Sequence, residues 1–232
     1  ISLTAFSQDT KNVVYDANAE IRKVDDFTAI EVSNAITVYI SQGKENAVVI
    51  SADDNTAKEK IKTIVRNGGL KINMESGLWN KWSLSDKKVK AYVTVKTLEK
   101  LVVTGASSAK IVDKLNAAVL KITVSGASNL KGDISANDLH LELSGASTAT
   151  INGTTDNLNI VASSASNLKG FDLVAKSCSA EASGASSIKI NVTDEFSKVH
   201  ASGASSIHYR GNASVKDFEA SGASSIKKDL GK

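Results

Sequence analysis

The sequence predicts an all-β protein: a single-stranded, right-handed parallel β-helix of coils of about twenty residues, with one short helix in its N-terminal part. Three observations carry that expectation. A four-residue tract, Ser-Gly-Ala-Ser, recurs through the second half of the chain, the residues around it alternate apolar and polar, and the 232 residues include no proline. Proline lacks the N–H that a sheet ladder requires, so its absence suits a chain spent in strands paired on both sides. Handedness follows the general rule for parallel crossovers.

The tract begins as Thr104-Gly105-Ala106-Ser107 and returns at Ser125–Ser128 and Ser144–Ser147, with one lapse to Ser163-Ser164-Ala165-Ser166. It then recurs at Ser183–Ser186, Ser202–Ser205 and Ser221–Ser224. A fixed period of this length signals stacked units, none of which can bury its apolar side alone.

Alignment on the glycine gives columns. Four residues before it stand Leu101, Ile122, Leu141, Ile160, Ala180, Val199 and Phe218. Two before it stand Val103, Val124, Leu143, Ala162, Ala182, Ala201 and Ala220. Polar residues such as Lys121, Glu142, Glu181 and His200 fall between and beside them, which is the period of a strand with one buried side. Four after the glycine come Ala109, Leu130, Ala149, Leu168, Ile188, Ile207 and Ile226, a second strand of the same coil. A further turn follows at Gly132-Asp133, Asn152-Gly153 or Gly211-Asn212. Each coil therefore holds two or three strands.

Small residues around the glycine imply a bend that tolerates little bulk. Ser164 in the glycine column means that a need for positive φ does not translate into a strict need for glycine. Two directions are open to the serine two past the glycine: inward, as a hydrogen-bonded ladder, or outward.

Residues 1–100 form a β-rich part with degenerate coils, continuous with the regular seven-coil β-helix of residues 101–232. Ile30-Glu31-Val32-Ser33-Asn34-Ala35 repeats the order of the tract, with Asn34 in the place of glycine, as a degenerate first coil. Strands are predicted at 36–40, 47–50, 70–74 and 90–95. A helix is expected over 55–66: Asp54 or Asn55 can cap it, Ala57, Ile61, Ile64 and Val65 share a side, and Asn67-Gly68-Gly69 ends it. Such a helix would cover an end or flank of the stack.

The 28 basic and 25 acidic residues nearly balance, so no whole-molecule charge argues for nucleic acid or for a membrane surface. No apolar run has transmembrane length. The chain starts at Ile1, which is consistent with an upstream secretion segment. A single cysteine, Cys178, rules out an intrachain disulfide framework.

The succession Phe27–Val32, Val38-Tyr39-Ile40-Ser41-Gln42-Gly43, Ala52-Asp53-Asp54-Asn55, Gly69-Leu70-Lys71-Ile72 and the Ser-Gly-Ala-Ser coils resembles the putative auto-transporter adhesin, head GIN domain family of bacteria. The resemblance runs from about residue 20 to the end. It implies an exported β-helical protein of the periplasm or cell surface. The family brings no catalytic residues to carry over.

Catalysis on a β-helix needs clustered carboxylates. Asp113, Asp133 and Asp172 lie near one column, but turn aspartates serve local hydrogen bonds, so the sequence favours a non-enzymatic protein. His140, His200 and His208 point outward without ligand or triad spacing, and no cofactor or metal is expected. Cys178 falls in the apolar column of Leu120, Leu139 and Leu158 and reads as a buried structural thiol.

Two features remain as binding candidates. Five after the glycine stand Lys110, Lys131, Lys169, Lys189 and Lys227, broken by Thr150 and His208, a stripe suited either to an anionic glycan or a phosphate-rich surface, or to solubility and the blocking of aggregation. Both tryptophans, Trp79 and Trp82, lie in one segment, placed to stack on a sugar or partner protein or to plug an end of the stack. The functional expectation is a putative adhesin or interaction module with a surface glycan or another protein as partner. The alternative is a carbohydrate-binding or carbohydrate-active β-helix.

Overall fold

The computed structural model describes residues 19–53, 55–74 and 89–230. The N-terminal elements are β1 (Glu20–Arg22), β2 (Ala29–Val32), β3 (Thr37–Gln42), β4 (Ala47–Ser51), α1 (Asn55–Glu59), β5 (Ile61–Arg66), β6 (Gly69–Met74) and β7 (Lys90–Val95). The coils with the tract begin with β8 (Lys100–Val103) and β9 (Ser108–Ile111). They continue through β10 (Leu115–Val124), β11 (Asn129–Leu143), β12 (Thr148–Ala162), β13 (Asn167–Ala182) and β14 (Ser187–Ala201). The last are β15 (Ser206–Arg210), β16 (Ser214–Val215), β17 (Phe218–Ala220) and β18 (Ser225–Lys228).

Each coil pairs in parallel with the next, and alignment on the tract gives the observed register. Ile122, Leu141, Ile160, Ala180, Val199 and Phe218 are successive partners, as are Leu130, Ala149, Leu168, Ile188, Ile207 and Ile226. The strands before the tract form a leading face and those after it a trailing face. The middle stretches of β10–β14 and β16 form a third, return face. Inner residues of all three meet in one apolar core.

In the coil where the column two before the glycine is Ala201, the return face supplies Phe196, fully buried and edge-on to Tyr209 at 5.1 Å. In the last described coil Phe218 is 56% exposed, although its counterparts in the preceding coils are buried.

The tract is the corner between leading and trailing faces. Every residue of the glycine column has positive φ, from Asn34 at 67° and Gly105 at 63° to Gly222 at 70°, and Ser164 adopts 60°. The conformation is thus strict while the residue is not. A Cβ added at Gly145 would come within 2.6 Å of the Gly126 carbonyl oxygen, because successive corners stack backbone on backbone. From Ala146 to Ala223 the amide after the corner residue donates to the carbonyl of the preceding corner, as Ala146 does to Gly126 at 2.8 Å.

The serines two past the glycine face inward. Ser107, Ser128, Ser147, Ser166, Ser186 and Ser205 are all buried. Their hydroxyls reach down to the preceding coil: Ser147 donates to Val124 O, Ser166 to Leu143 O, Ser186 to Ala162 O and Ser205 to Ala182 O, at 3.0 to 3.3 Å. Burying a hydroxyl is costly unless it is bonded, and the ladder supplies that bond in these four successive coils; at its start Ser128 Oγ instead accepts from Ser107 N at 3.2 Å, and the buried Ser107 hydroxyl has no partner among the described residues.

In the N-terminal part, the echo of the tract takes its expected place beside the first true coil, with Ile30 opposite Leu101 and Val32 opposite Val103. It is not the first coil of the stack. β6 and β7 form a further coil outside it, parallel to β2 and β3, so chain order and spatial order differ here.

The expected helix over 55–66 is corrected to the five residues of α1. The rest of that span is β5, which runs antiparallel to β6 through a two-residue turn in which Asn67 and Gly68 both have positive φ. Asn-Gly is a strong hairpin signal, and Ile61, Thr63, Ile64 and Val65 are β-branched; both outweigh the helical spacing. Beyond β6 and β7 the faces are extended by further strands. β5 extends the leading face, and β4 followed by β1 extend the trailing face, all antiparallel.

Candidate functional site

The lysine column forms one stripe on the trailing face. Lys110, Lys131, Thr150, Lys169, Lys189, His208 and Lys227 are register partners in succession, and all five lysines are exposed. Backbone spacing within it is about 4.8 Å per coil. Lys110 with Lys131, and Lys169 with Lys189, are direct neighbours. At about 5 Å in water two such charges repel by about 0.8 kcal/mol, less in salt.

Charge pairing separates the stripe lysines from several lysines of the other two faces. On the leading face Lys121 meets Glu142 at 2.7 Å, Lys198 meets Glu181 at 2.8 Å, and Lys71 meets Glu31 at 2.8 Å. On the return face Lys176 meets Asp156 and Lys216 meets Glu195. The hydrogen bond from Lys121 holds the Glu142 carboxyl below its ordinary range, and the bond to Glu181 raises Lys198. Among the described residues the stripe lysines form no ion pair. Two instead lie over aromatic rings: Lys110 over Tyr39 at 5.3 Å and Lys189 over Phe171 at 5.9 Å, with the Arg210 guanidinium at 4.1 Å from the same ring.

Those aromatic side chains extend the stripe. Tyr39 is the register partner of Lys110, and Tyr92 that of Tyr39, with the two rings stacked at 5.1 Å. The alignment already contained the first of these, since Tyr39 stands five past Asn34 exactly as Lys110 stands five past Gly105. Tyr92 had no such marker, because its coil lacks the tract. Trp79 and Trp82 lie outside the described residues.

Other candidates disperse. Asp133 pairs with Asn152, so Asp172, a coil further on, has its backbone about 10 Å from that of Asp133. His140 and His200 are on the leading face and His208 on the trailing face; His200 is bonded to Asp217 at 2.7 Å and is not simply solvated. Among the described residues no group of three or more His, Cys, Asp and Glu side chains comes together to hold a metal ion. Cys178 is the register partner of Leu158 and Phe196, and burial pushes its thiol pKa far up, away from nucleophile chemistry.

Residues 26–213 match the family described as putative auto-transporter adhesin, head GIN domain, over most of the chain. The chain belongs to that family. Solved structures agree with a head GIN domain in fold. A putative adhesin from Bacteroides fragilis superimposes with a TM-score of 0.84 at 20% identity, covering 91% of this chain and 96% of that one. One from Parabacteroides distasonis gives 0.71 at 17% identity, with 91% and 96% covered. A putative lipid binding protein, also from P. distasonis, gives 0.61 at 22% identity, with 92% and 98% covered. No curated protein matches this GIN domain. The adhesin naming of the family points to a surface protein, and no helix among the described residues is long and apolar enough to cross a membrane.

Proposed function

We propose that this GIN-domain protein is an exported, non-enzymatic interaction module of the periplasm or cell surface whose trailing face engages an anionic glycan. The observation that carries the reading is the segregation of charge. Lys71, Lys121 and Lys198 on the leading face and Lys176 and Lys216 on the return face are partnered by carboxylates, whereas among the described residues the five stripe lysines of the trailing face are not. A face built only for solubility has no need to keep its cations unpaired and aligned, with the electrostatic cost that entails. The stacked tyrosines and Phe171 add flat apolar surface beside the cations, the combination that suits sugar rings bearing acid groups.

The test is a glycan array probed with the purified chain at low and physiological salt. Uronic-acid and sulfated glycans are expected to bind, with signal falling as salt rises, and neutral glycans are not. Equal binding to neutral glycans, or none to any acidic glycan at low salt, would refute the reading.

A further inference from the structure

The leading face carries a second feature, independent of the lysine stripe, near its N-terminal end. Four strands run side by side there in the order β5, β6, β2, β8. One outward row across them reads Arg66, Gly69, Ala29, Lys100, and the next reads Ile64, Lys71, Glu31, Val102. The middle of the first row has almost no side chain, and a depression of about 430 Å³ opens over it. Arg66 and Lys100 stand at its two ends, their backbones about 14 Å apart across three strand spacings, so both long side chains can converge over the gap.

The walls differ in character. Ile64, 42% exposed, and Val102 supply apolar surface at opposite corners. Glu31 is held in place by Lys71 at 2.8 Å and keeps acceptor capacity facing the depression. Among the described residues the side chains of Arg66 and Lys100 have no ion pair or hydrogen bond, although Lys100 is near enough to Glu142 to help hold its carboxyl low. Two free cations at the ends, a flat floor of small residues and a fixed carboxylate acceptor describe a ligand with one anionic group, an apolar ring face and hydroxyl donors.

We propose that this depression binds an acidic monosaccharide of the hexuronate class. Its carboxylate would be taken by the Arg66 guanidinium, whose fork matches a carboxylate, with Lys100 closing from the far side; its hydroxyls would donate to Glu31. The ring lies on Gly69 and Ala29. Because the site is on the other face, it stands whether or not the lysine stripe binds a polymer.

Sodium glucuronate, glucose and inorganic phosphate titrated into the isotope-labelled chain, followed by amide NMR shifts, test this. Glucuronate is expected to move the amides of residues 29–31, 69–71 and 100–102 and to bind at least tenfold more tightly than either glucose or phosphate. Arg66→Gln with Lys100→Gln should weaken it at least tenfold. Ala29→Leu should abolish it with every charge retained, while Lys131→Gln with Lys169→Gln should leave it unchanged. Spectra that superimpose away from the site establish that each variant is folded. Glucose binding as tightly as glucuronate, phosphate doing so, or unchanged affinity in Ala29→Leu would each overturn the proposal.

Discussion

Replacing Gly145 by alanine separates the two reasons for glycine at a corner. One is conformational: at φ +68° an L-residue costs about 1–2 kcal/mol. The other is steric, since the new Cβ would lie 2.6 Å from Gly126 O and 3.0 Å from Gly126 N, closer than carbon can approach, and overpacking of this kind costs about 1–3 kcal/mol. Gly68 in the β5–β6 hairpin is the internal control. Its φ is +73°, and a Cβ there would meet nothing within 4 Å. Alanine also lowers the entropy of the unfolded chain, returning about 0.4–1 kcal/mol in both cases. Gly68→Ala is therefore expected to cost about 1 kcal/mol and Gly145→Ala about 3 kcal/mol. Denaturant unfolding at unchanged m-value reads the difference. Equal losses would refute the claim that backbone-on-backbone stacking, rather than φ alone, restricts the tract. Ser164→Gly provides the converse: relief of the left-handed cost, reduced by the backbone entropy of glycine, should leave the variant up to about 1 kcal/mol more stable than the parent.

Three further expectations concern single side chains. Phe196→Ala should cost about 3–5 kcal/mol, since it empties the largest fully buried side chain among the described residues and removes the edge contact to Tyr209; a loss below 1 kcal/mol would mean the layer closes over the gap. Cys178 should react with a disulfide reagent only as fast as the protein unfolds, because the thiol is buried and its pKa raised; rapid stoichiometric labelling of the native chain would contradict that. Lys121→Met should move the NMR titration midpoint of Glu142 upward. The carboxyl is held low in the folded state, so its contribution to stability is complete above the ordinary carboxylate range and is lost as pH falls through the folded value. The pair is half-exposed and screened, which limits that contribution to about 0.5 kcal/mol, and an unmoved midpoint would show that Lys121 is not its cause.

Most of the architecture could be read from residue columns because a solenoid converts sequence period directly into spatial register. Leu101 to Phe218 and Ala109 to Ile226 needed only alignment on one glycine to be placed beside their true partners. The same logic fails where the repeat lapses. β5 was masked by the helix-like spacing of Ala57, Ile61, Ile64 and Val65, and only the Asn67-Gly68 pair marked it as half of a hairpin. The placing of β6 and β7 outside β2 and β3 had no local signature, since strand order at the end of the stack is decided by which edge remains open. The inward direction of the serines was likewise illegible: their hydroxyls are bonded to carbonyls 23 or 24 residues earlier, and nothing near them in sequence reports that.

The candidate site divides the same way. The lysine stripe follows from the period, and Tyr39 from its echo in the N-terminal coil. That the stripe lysines have no carboxylate partner among the described residues is a property of neighbouring columns across coils, seen only once Lys121, Lys198 and Lys176 are found paired elsewhere. The depression between Arg66 and Lys100 joins residues from three separate stretches of chain, through a strand order the sequence did not announce.

The claim that unpaired lysines make the trailing face the binding surface is tested most directly by the affinity for polygalacturonate over a series of salt concentrations. Lys131→Gln/Lys169→Gln/Lys189→Gln is compared with Lys121→Gln/Lys176→Gln/Lys198→Gln, which removes the same charge from paired positions. The first variant should bind at least tenfold more weakly at low salt, with a shallower salt dependence, and the second should bind like the parent chain. Equal losses in the two variants, or no loss in the first, would contradict the account.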